Sequence, residues 1–447
     1  MASIDEWMAR GTPYEVAVVS DGEQFEMWMD SAEELTEAES RSTTLKLYAD
    51  MPRVLVANEH IRPLGKGDWR RFRHESKITF KTCGIPASTP VADIPVLLRI
   101  SSDCPSGVNL ADIASDGSNL AFASCSDGAW LDCNVDTWGA DGGCVWVRIP
   151  SLSENTAIKM YWGPKDESDL WTATDTNVWA NYTTVLHMNE KADVYGNRVD
   201  STRKCAFVTD DDISTSGGAV GLAAKSSDGG SIRIAKGGPW ERTFTSESFT
   251  MSLWLKIDRT ADQAAGHYPY FAQWASGKGQ LGDGFWFGGV WGEPTRQDDG
   301  AAIWHGGNRD DEVRTGASKL NDADWPTGSS YGGKWLHYTL TCKNENGIAH
   351  TVNYIDGRKV NEIDITITNG KSTLFTAPSA ASDLCLVNGS DMKSVVTLMD
   401  EFRLSKGVRS PAEVAADYQA MVKVDFATFG RIRIASAPNP GLALIIK

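Results

Sequence analysis

The strongest constraint in the sequence is the dipeptide Asp356-Gly357, which separates two short alternating runs at residues 349–355 and 358–365. A type I′ turn needs positive φ at both central residues, and Asp-Gly adopts it readily. A third alternating run, at residues 335–342, precedes the pair. The pattern predicts an antiparallel meander that packs one face on a core.

Length and charge narrow the function classes. A chain of 447 residues is expected to form two or three domains. A net charge of −16 argues against nucleic-acid binding, which needs clustered Lys and Arg. No apolar run approaches the roughly 18 residues of a membrane span. Residues 1–11 show no secretory signal, which fits a cytosolic protein or a mature form that has lost its signal.

The cysteine pattern leaves the redox state open. The chain has eight cysteines but no C-x-x-C pair, so zinc-finger and thioredoxin-like sites lack their usual spacing. Cys125 and Cys133 flank a Ser-Asp-Gly turn signal and are candidates for a disulfide across a hairpin. Buried thiols that pack as small hydrophobic groups fit the pattern equally well.

Residues 1–67 are predicted to form a small α+β module or arm. A capping box beginning at Ser3 predicts a helix that ends at Gly11. Apolar runs at 15–19, 25–29 and 54–57 predict strands, and a second short helix is expected at 31–39.

Residues 68–172 are predicted to form a small β-sandwich. Alternation at 94–100 and 145–149 predicts long strands, and Gly, Ser, Asn and Asp clusters separate the runs at sandwich-like spacing. Four motifs occur in a consistent order, at residues 69–72, 115–122, 145–150 and 159–163. In these motifs the segment resembles a bacterial family, domain of unknown function 2341. The resemblance implies an exported protein in which this domain precedes a laminin-G-like domain.

Residues 176–422 resemble such a laminin-G-like jelly roll of the concanavalin A-like lectin class. The resemblance rests on the motifs at 177–179 and 185–190 and on the meander. It rests also on a closing motif at 398–405, which is followed by Ser410-Pro411 and a helix to about Met421. Alternation at 248–257 predicts a half-buried strand, and residues 266–334 are expected to form insertion loops.

The laminin-G-like resemblance implies a calcium site. Hard cations take several oxygen ligands, and the resemblance points to Asp200 and Asp400 as metal ligands at one end of the sandwich. The alternative is that these carboxylates satisfy backbone N–H donors. Calcium is the only cofactor that the sequence suggests.

Aromatic residues in the insertion loops are candidates for sugar binding, because aromatic faces pack against the C–H faces of sugars while polar groups fix orientation. The candidates are Trp274, Trp286, Trp291, Trp304 and Trp325. Core packing is the alternative for each of them. Trp146, Trp254 and Trp335 are assigned to core or sheet packing.

A catalytic pattern is incomplete. Glu362 and Asp364 lie on one face of a predicted strand, as in retaining glycosidases of lectin-like fold. That mechanism needs both a nucleophile and an acid, but Thr366 stands where a third carboxylate is expected. We therefore predict no catalytic residues and interpret the two carboxylates as solvent-facing.

The tail at residues 423–447 is apolar and is not needed to complete the jelly roll. It contains a predicted strand at 429–434 and an apolar end at 442–446. Such a segment is expected to pair with an open strand edge. It is predicted either to dock on the N-terminal module or to add a strand to a neighbouring subunit, which would cause self-association.

Taken together, the residues and the two resemblances predict a mainly β, non-catalytic binding or adhesion protein. The predicted location is extracellular or at the cell surface, and the expected partner is a glycan or a surface protein. The alternatives are a structural subunit of a surface assembly or filament and a divergent glycoside hydrolase.

Overall fold

The computed structural model describes the backbone of residues 14–20, 25–31, 54–56, 69–164, 175–192, 196–226, 230–258, 270–275, 284–290, 300–305, 314–315, 334–367, 373–375, 377–378, 381–387, 396–437 and 444–445. Within these residues the fold is mainly β, as predicted. No helix in this part of the chain is long and apolar enough to cross a bilayer.

The N-terminal segment contributes three strands, β1 (Tyr14–Ser20), β2 (Phe25–Ser31) and β3 (Val54–Val56). β1 and β2 are antiparallel and β2 and β3 are parallel. The predicted runs at 15–19, 25–29 and 54–57 are therefore confirmed as strands. The two predicted helices, at 3–11 and 31–39, lie outside the described residues, except that Ser31 ends β2.

Seven strands of the next segment build a small sandwich. They are β4 (Phe72–Thr79), β5 (Val91–Ser101), β6 (Ala121–Ser124), β7 (Trp130–Leu131), β8 (Cys133–Gly139), β9 (Gly142–Leu152) and β10 (Ala157–Pro164). One sheet has the order β4-β10-β6-β7 and the other β5-β9-β8. Ile78, Val96, Val147 and Met160 are completely buried and belong to the core that the two sheets enclose. Short 3-10 helices lie at Trp69–Arg71 and Leu110–Asp112.

Sixteen strands build a large sandwich; of the two short helices in this part of the chain, α1 (Asp175–Val178) contacts β8 and β9 of the small sandwich and α2 (Pro239–Phe244) packs on the large one. The first eight strands are β11 (Tyr182–Leu186), β12 (Arg198–Val199), β13 (Ala206–Thr209), β14 (Ile213–Gly217), β15 (Leu222–Ser226), β16 (Ile232–Ile234), β17 (Ser248–Asp258) and β18 (Tyr270–Ala275). The other eight are β19 (Gly284–Val290), β20 (Gly300–His305), β21 (Arg314–Thr315), β22 (Leu336–Glu345), β23 (Ile348–Ile355), β24 (Arg358–Thr366), β25 (Leu384–Leu386) and β26 (Val396–Lys406).

These strands form two sheets, as expected for a two-layer β-sandwich. One has the order β14-β15-β26-β17-β22-β23-β24, with β11 also paired to β26, and the other has the order β12-β13-β16-β25-β18-β19-β20-β21. Met251, Leu253, Leu340 and Phe402 are buried in the core of this sandwich together with Leu384 of the other sheet.

The meander predicted from Asp356-Gly357 is confirmed as β22, β23 and β24. The φ angles of Asp356 and Gly357 are 51° and 73°, as a type I′ turn requires. Asn346 and Gly347, between β22 and β23, repeat the pattern with φ angles of 52° and 76°. The two tight turns fix the register of three long strands.

The strand at 248–257 is more buried than its alternation predicts. Phe249, Met251 and Leu253 face the core, but Thr250 and Trp254 on the opposite face are only 3% exposed. The half-buried assignment is therefore wrong. The second face is covered because the helix that follows the closing motif and the small sandwich, which comes earlier in the chain, both pack against it.

That helix is α3 (Pro411–Val422), which ends near the predicted Met421 and begins with a capping box between Ser410 and Glu413. Ala416 and Ala420 pack in the core of the small sandwich, whereas Met421 packs with Trp254 of the large one. Arg99 of the small sandwich donates a hydrogen bond from Nη2 to the Met421 carbonyl at 2.6 Å. The helix therefore belongs to both sandwiches.

The tail pairs within its own chain, which was one of the two predicted arrangements, but its first part docks elsewhere than on the N-terminal module. β27 (Thr428–Ile434) adds to β4 of the small sandwich, and only β28 (Leu444–Ile445) pairs with β3 of the N-terminal module. Ser436 donates from its backbone N–H to Oε2 of Glu75 at 2.8 Å, while Lys159 donates to the same oxygen at 2.9 Å. A buried carboxylate therefore selects the small sandwich as the docking site.

The disulfide suggested for Cys125 and Cys133 does not form, and all eight cysteines are thiols. Burial raises the pKa of the Cys125, Cys205 and Cys342 thiols, to about 12 for the last two. These groups pack as small apolar side chains and do not staple the fold.

Two glycine substitutions test how the Asp356-Gly357 turn is held. A Cβ on Gly357 would lie 3.0 Å from the Tyr418 Cβ of α3, whereas a Cβ on Gly347 would meet nothing within 4 Å. Both Gly→Ala changes place an L-residue at positive φ, which costs about 1–2 kcal/mol. We expect Gly357→Ala to cost roughly 1–3 kcal/mol more because it also overpacks the contact with the helix. Urea unfolding measures the difference, and equal losses would contradict the packing of the turn on α3.

Candidate functional site

The two sandwiches meet in a buried layer that we call the seam. The small sandwich contributes Leu97 and Trp146 from its three-stranded sheet. The large sandwich contributes Trp179 and Trp254, and α3 contributes Met421. Trp146 and Trp254 were assigned to packing from the sequence, and both are buried. The seam also holds several ionisable side chains, which are the main candidates for a functional role.

A β-bulge in β26 directs acidic side chains into the seam. Met399 and Phe402 both face the core of the large sandwich although they are three residues apart. The extra residue is taken up where the pairing of β26 with β17 shifts, and Glu401 there has a φ of 51°. As a result, Asp400 and Glu401 both lie off the core side of the strand, and both are fully buried.

Arg403 is the buried cation of the seam. Its Nη2 donates to Glu401 Oε2 at 2.6 Å and its Nη1 to Asp417 Oδ1 at 2.9 Å. The guanidinium carbon lies 4.1 Å from the ring centroid of Trp146 and 5.1 Å from that of Trp179. Two carboxylates and two indole faces thus replace the water that the cation has lost.

His187 follows β11 and is the second buried basic side chain of the seam, beside Arg403. Its Nδ1 lies 2.8 Å from Glu401 Oε1 and 4.0 Å from Asp136 Oδ2. Asp136 comes from β8 of the small sandwich, and its other oxygen accepts a hydrogen bond from the Asn189 side chain. The side chains of Asp136, His187 and Glu401 are at most 2% exposed. These three groups are the one set of potential metal ligands found within the described residues.

The pKa values of the ionisable side chains in the seam are set by two opposing effects, burial and the charges of neighbouring side chains. Burial lowers the pKa of His187, but the charges of Glu401 and Asp136 outweigh it and raise that pKa to about 9. Burial raises the pKa of Asp136 to about 7 although His187 opposes the shift. Burial and the neighbouring Glu401 raise the pKa of Asp400 well above its usual range. For Glu401, His187 and Arg403 outweigh burial and hold the pKa well below its usual value.

A second histidine at the seam is held neutral. The His337 ring packs against Trp254 and Tyr418, with centroid distances of 4.9 and 5.9 Å, and these two rings also contact each other. Burial lowers the pKa of His337 to about 4; the carboxylate of Asp417 opposes this shift and the charge of Arg403 adds to it. The two seam histidines therefore take opposite charge states at neutral pH.

A cavity of about 120 Å³ opens at the rim of the large sandwich. Glu190, Arg198, Thr209 and Thr215 supply polar groups to its wall. The apolar residues of the wall are Met188, Phe207, Ile213, Leu222, Ala224 and Ile232. We call it the rim cavity.

The wall of the rim cavity is fixed by hydrogen bonds. Arg198 donates from Nε to the Glu190 carbonyl at 3.0 Å and from Nη1 to Thr209 Oγ1 at 2.7 Å. Glu190 Oε1 accepts from the backbone N–H of His187 at 2.6 Å, so the same side chain borders the rim cavity and the seam. Burial raises the pKa of Glu190.

The structure describes the side chain of one of the five tryptophans predicted to bind sugar. Trp274 is 1% exposed and packs against Trp240 with ring centroids 5.0 Å apart, so it is a core residue and the sugar-binding assignment is wrong for it. Trp274 lies on β18, inside a sheet of the large sandwich, whereas the segment around it was expected to form insertion loops, and this explains the error. Trp286 and Trp304 lie on β19 and β20 and pair with one another, but their side chains lie outside the described residues. Trp291 and Trp325 lie outside them entirely.

The two proposed calcium ligands have separate partners. Asp200 Oδ1 accepts from the backbone N–H groups of Lys204 and Cys205, and Oδ2 accepts from the Val185 N–H at 3.1 Å and from the Thr202 hydroxyl at 2.6 Å. Asp400 Oδ2 accepts from the Val220 N–H at 2.7 Å. Asp200 thus has the backbone-bonding role that was the alternative to calcium. The metal-ligand set among the described side chains contains neither residue, and calcium binding stays a prediction.

Glu362 and Asp364 lie on the outer face of β24, as predicted. Glu362 forms an ion pair with Lys359, and Asp364 contacts His350 at 2.6 Å. Both carboxylates are more than half exposed, at 56% and 62%. The pair engages neighbouring surface cations and does not line the rim cavity.

Sequence reasoning missed the seam cluster. The segment containing His187 and Glu190 and the closing motif with Glu401 and Arg403 were recognised only as family patterns. Asp136 carries no local signal, because it lies about fifty residues from His187 along the chain and in a different sandwich. Only the packing of the two sandwiches brings these residues together.

No protein-family model matches the sequence, and a search of curated proteins finds no match. Among solved structures, the binding domain of Paraclostridial Mosquitocidal Protein 1 aligns with a TM-score of 0.38 at 14% identity, over 54% of this chain and 52% of that chain. A botulinum neurotoxin type C structure, from a study of its interaction with two ganglioside molecules, aligns with a TM-score of 0.40 at 12% identity, over 55% and 52%.

Domain 4 of AbnA, a GH43 extracellular arabinanase from Geobacillus stearothermophilus, in complex with arabinotriose, aligns with a TM-score of 0.36 at 20% identity, over 54% of this chain and 98% of that domain. The matched part of this chain spans about half the length of the toxin chains. The two family resemblances drawn from sequence motifs stay predictions.

Replacing Arg403 tests the buried ion pairs. Arg403→Met leaves Glu401 and Asp417 buried without their cation, so we expect a loss of about 3–5 kcal/mol of unfolding free energy. Arg233→Met is the matched control, because Arg233 pairs with Asp210 at 2.8 Å while its side chain is 47% exposed. The control should lose less than about 1 kcal/mol. Equal effects in chemical denaturation would show that the seam pairs do not stabilise the fold.

Acidification tests the neutral state of His337. Its folded-state pKa of about 4 lies below the ordinary value of 6.5, so the unfolded chain binds the extra proton first. Stability from this group is complete above pH 6.5 and is lost as the pH falls toward 4, by roughly 3 kcal/mol. We expect His337→Phe to flatten the pH dependence of unfolding free energy in that window. Parallel curves for the two proteins would contradict the assignment.

Proposed function

We propose that this chain is an extracellular or cell-surface recognition protein that binds a glycan in the rim cavity without transforming it. The observation that carries the proposal is the composition of the cavity wall. Polar groups of Glu190, Arg198 and Thr215 stand beside the apolar side chains of Phe207 and Leu222. A sugar offers hydroxyl groups and a C–H face, and small-molecule sites commonly combine apolar walls with a few fixed polar groups.

The rigidity of the cavity supports a binding role. Arg198 is held by the Glu190 carbonyl and the Thr209 hydroxyl, and Glu190 is held by the His187 backbone. Preorganised polar groups lose little conformational entropy when a ligand binds. Leu222, at 38% exposure, is available to contact a ligand at the mouth of the cavity.

The distribution of carboxylates supports recognition over glycoside hydrolysis. A hydrolase places two carboxyl groups on either side of the scissile bond of a bound substrate. In the described part of the chain, Asp136 and Glu401 are sealed in the seam, and Glu362 and Asp364 are in surface ion pairs. Glu190 is the carboxylate that borders the rim cavity.

Glycan-array binding with a pair of matched variants tests the proposal. Thr215→Arg fills the rim cavity from β14, whereas Ser216→Arg adds the same side chain one residue further along, outside the cavity wall. We expect the wild-type chain and Ser216→Arg to bind the same glycans and Thr215→Arg to lose at least tenfold in affinity. Both variants should keep the wild-type melting temperature.

The other outcomes distinguish the alternatives. Glycan binding that survives Thr215→Arg would move the site away from the rim cavity. Hydrolysis of array glycans that is abolished by Glu190→Gln would favour a glycoside hydrolase. An absence of glycan binding together with ligand-free polymers in electron micrographs would favour a structural subunit of a surface assembly.

A further inference from the structure

We propose that Asp136, His187 and Glu401 form a binding site for one divalent transition-metal ion, of the chemical class of Zn²⁺, that bridges the two sandwiches. This inference is independent of the glycan-binding proposal, because the three ligands lie in the seam.

The distances between the three groups suit a single ion. One ligand atom from each residue lies within 4.8 Å of the other two. The Nδ1 of His187 is 2.8 Å from Glu401 Oε1 and 4.0 Å from Asp136 Oδ2. An ion bound at about 2.0–2.2 Å from each ligand accommodates ligand atoms up to about 4 Å apart. Sub-ångström movements of side chains are enough to complete the site.

The imidazole of His187 is oriented as a metal ligand requires. Trp179 Nε1 can only donate, so the Asn134 atom that it contacts at 3.0 Å is the carbonyl oxygen. His187 Nε2 lies 3.2 Å from the same oxygen and must therefore donate its N–H to it. Metal-bound histidines commonly donate their second ring N–H to an oxygen in this way. The arrangement aims Nδ1 at the two carboxylates.

Asp136 provides a second, independent observation. Its side chain is 0% exposed, and its Oδ2 makes no hydrogen bond of regular geometry within the described residues, although the Trp146 indole is near enough to favour the charged carboxylate and the His187 Nδ1 lies 4.0 Å away. Its other oxygen is held by the Asn189 side chain, so the carboxylate cannot turn freely to find a donor. A buried carboxylate oxygen without a partner is unfavourable. A cation between Oδ2, Nδ1 and Oε1 supplies the missing partner.

The supporting groups hold the other polar atoms of the ligands, and an ion would displace to solvent the Nδ1 proton that His187 shares with Glu401 Oε1. Arg403 donates to Glu401 Oε2, which leaves Oε1 directed at His187. Glu190 accepts from the His187 backbone with Oε1, while its Oε2 is buried and accepts no hydrogen bond within the described part of the chain. Glu190 also lines the rim cavity, so one side chain borders both the cavity and the ligand cluster.

The donor set selects the class of metal. Calcium takes oxygen ligands in sites of six to eight, whereas a site with one imidazole nitrogen and two carboxylates suits Zn²⁺ and its first-row neighbours. Because Asp136 belongs to the small sandwich and the other two ligands belong to the large one, the ion would clamp the two together.

Metal titration of the full, untagged chain tests the site. After dialysis against a chelator, the protein is titrated with Zn²⁺, and bound metal is measured by mass spectrometry and calorimetry. We expect one equivalent of Zn²⁺ per chain and a higher melting temperature with Zn²⁺ than with chelator. Co²⁺ used as a second probe should give visible absorption bands that report ligand replacement directly.

Three variants assign the ligands. His187→Gln and the isosteric Asp136→Asn should each reduce Zn²⁺ affinity at least a hundredfold and remove the Co²⁺ bands. His350→Gln, which changes a surface histidine paired with Asp364, should leave both unchanged. All three variants keep the eight cysteines, so any zinc on thiols is common to them. Should His187→Gln fail to fold, Asp136→Asn carries the test.

Two results of the Zn²⁺ titrations would overturn the proposal. One is no stoichiometric Zn²⁺ uptake by the wild-type chain, and the other is uptake that Asp136→Asn does not weaken. Binding of Ca²⁺ but not Zn²⁺ would also contradict it, because the imidazole nitrogen would then have no role.

Discussion

A guanidinium group buried against two indoles is stable only where carboxylates compensate for the lost hydration, and this requirement shapes the seam of the protein. Arg403 meets it with Glu401 on its own strand and Asp417 on the helix that follows. Removing either partner would leave a charge in a medium of low dielectric constant. The ion pairs therefore tie the bulge in β26 and the position of α3 to one another.

The bulge has a second consequence. By turning Asp400 and Glu401 to the same side of the strand, it places a carboxylate next to His187 and opposite Asp136 of the other sandwich. The apolar part of the seam consists of aromatic residues together with Met421, Leu97 and several valines, which exclude water from these charges. Polar specificity and apolar burial act together here: the tryptophans strengthen the ion pairs by excluding solvent, and the ion pairs fix the relative position of the sandwiches.

The packing of the two sandwiches also separates the buried charged cluster from the rim cavity, which solvent can reach. The charged cluster is sealed, and the rim cavity, which borders it through Glu190, is open to solvent. For the recognition role that we propose, this separation is useful because a rigid seam would hold the cavity wall in one conformation. The tail adds further rigidity, since β27 extends the small sandwich and Ser436 satisfies the buried Glu75.

The sequence by itself determined the local elements of this protein. The positive φ demanded of Asp356-Gly357 and the alternation around it identified β22 to β24, and the Ser410-Pro411 signal placed the start of α3. These features depend on neighbouring residues, so a linear pattern contains them. The Asn346-Gly347 turn carried the same signal and was available to the same reasoning.

Tertiary structure alone decided the burial of both faces of β17, the core position of Trp274, the docking of β27 and the meeting of Asp136 with His187 and Glu401. Each of these features depends on which surfaces pack against one another. The bulge that positions Glu401 also leaves no sequence signal, because packing from both sandwiches holds Glu401, and not a glycine, at positive φ.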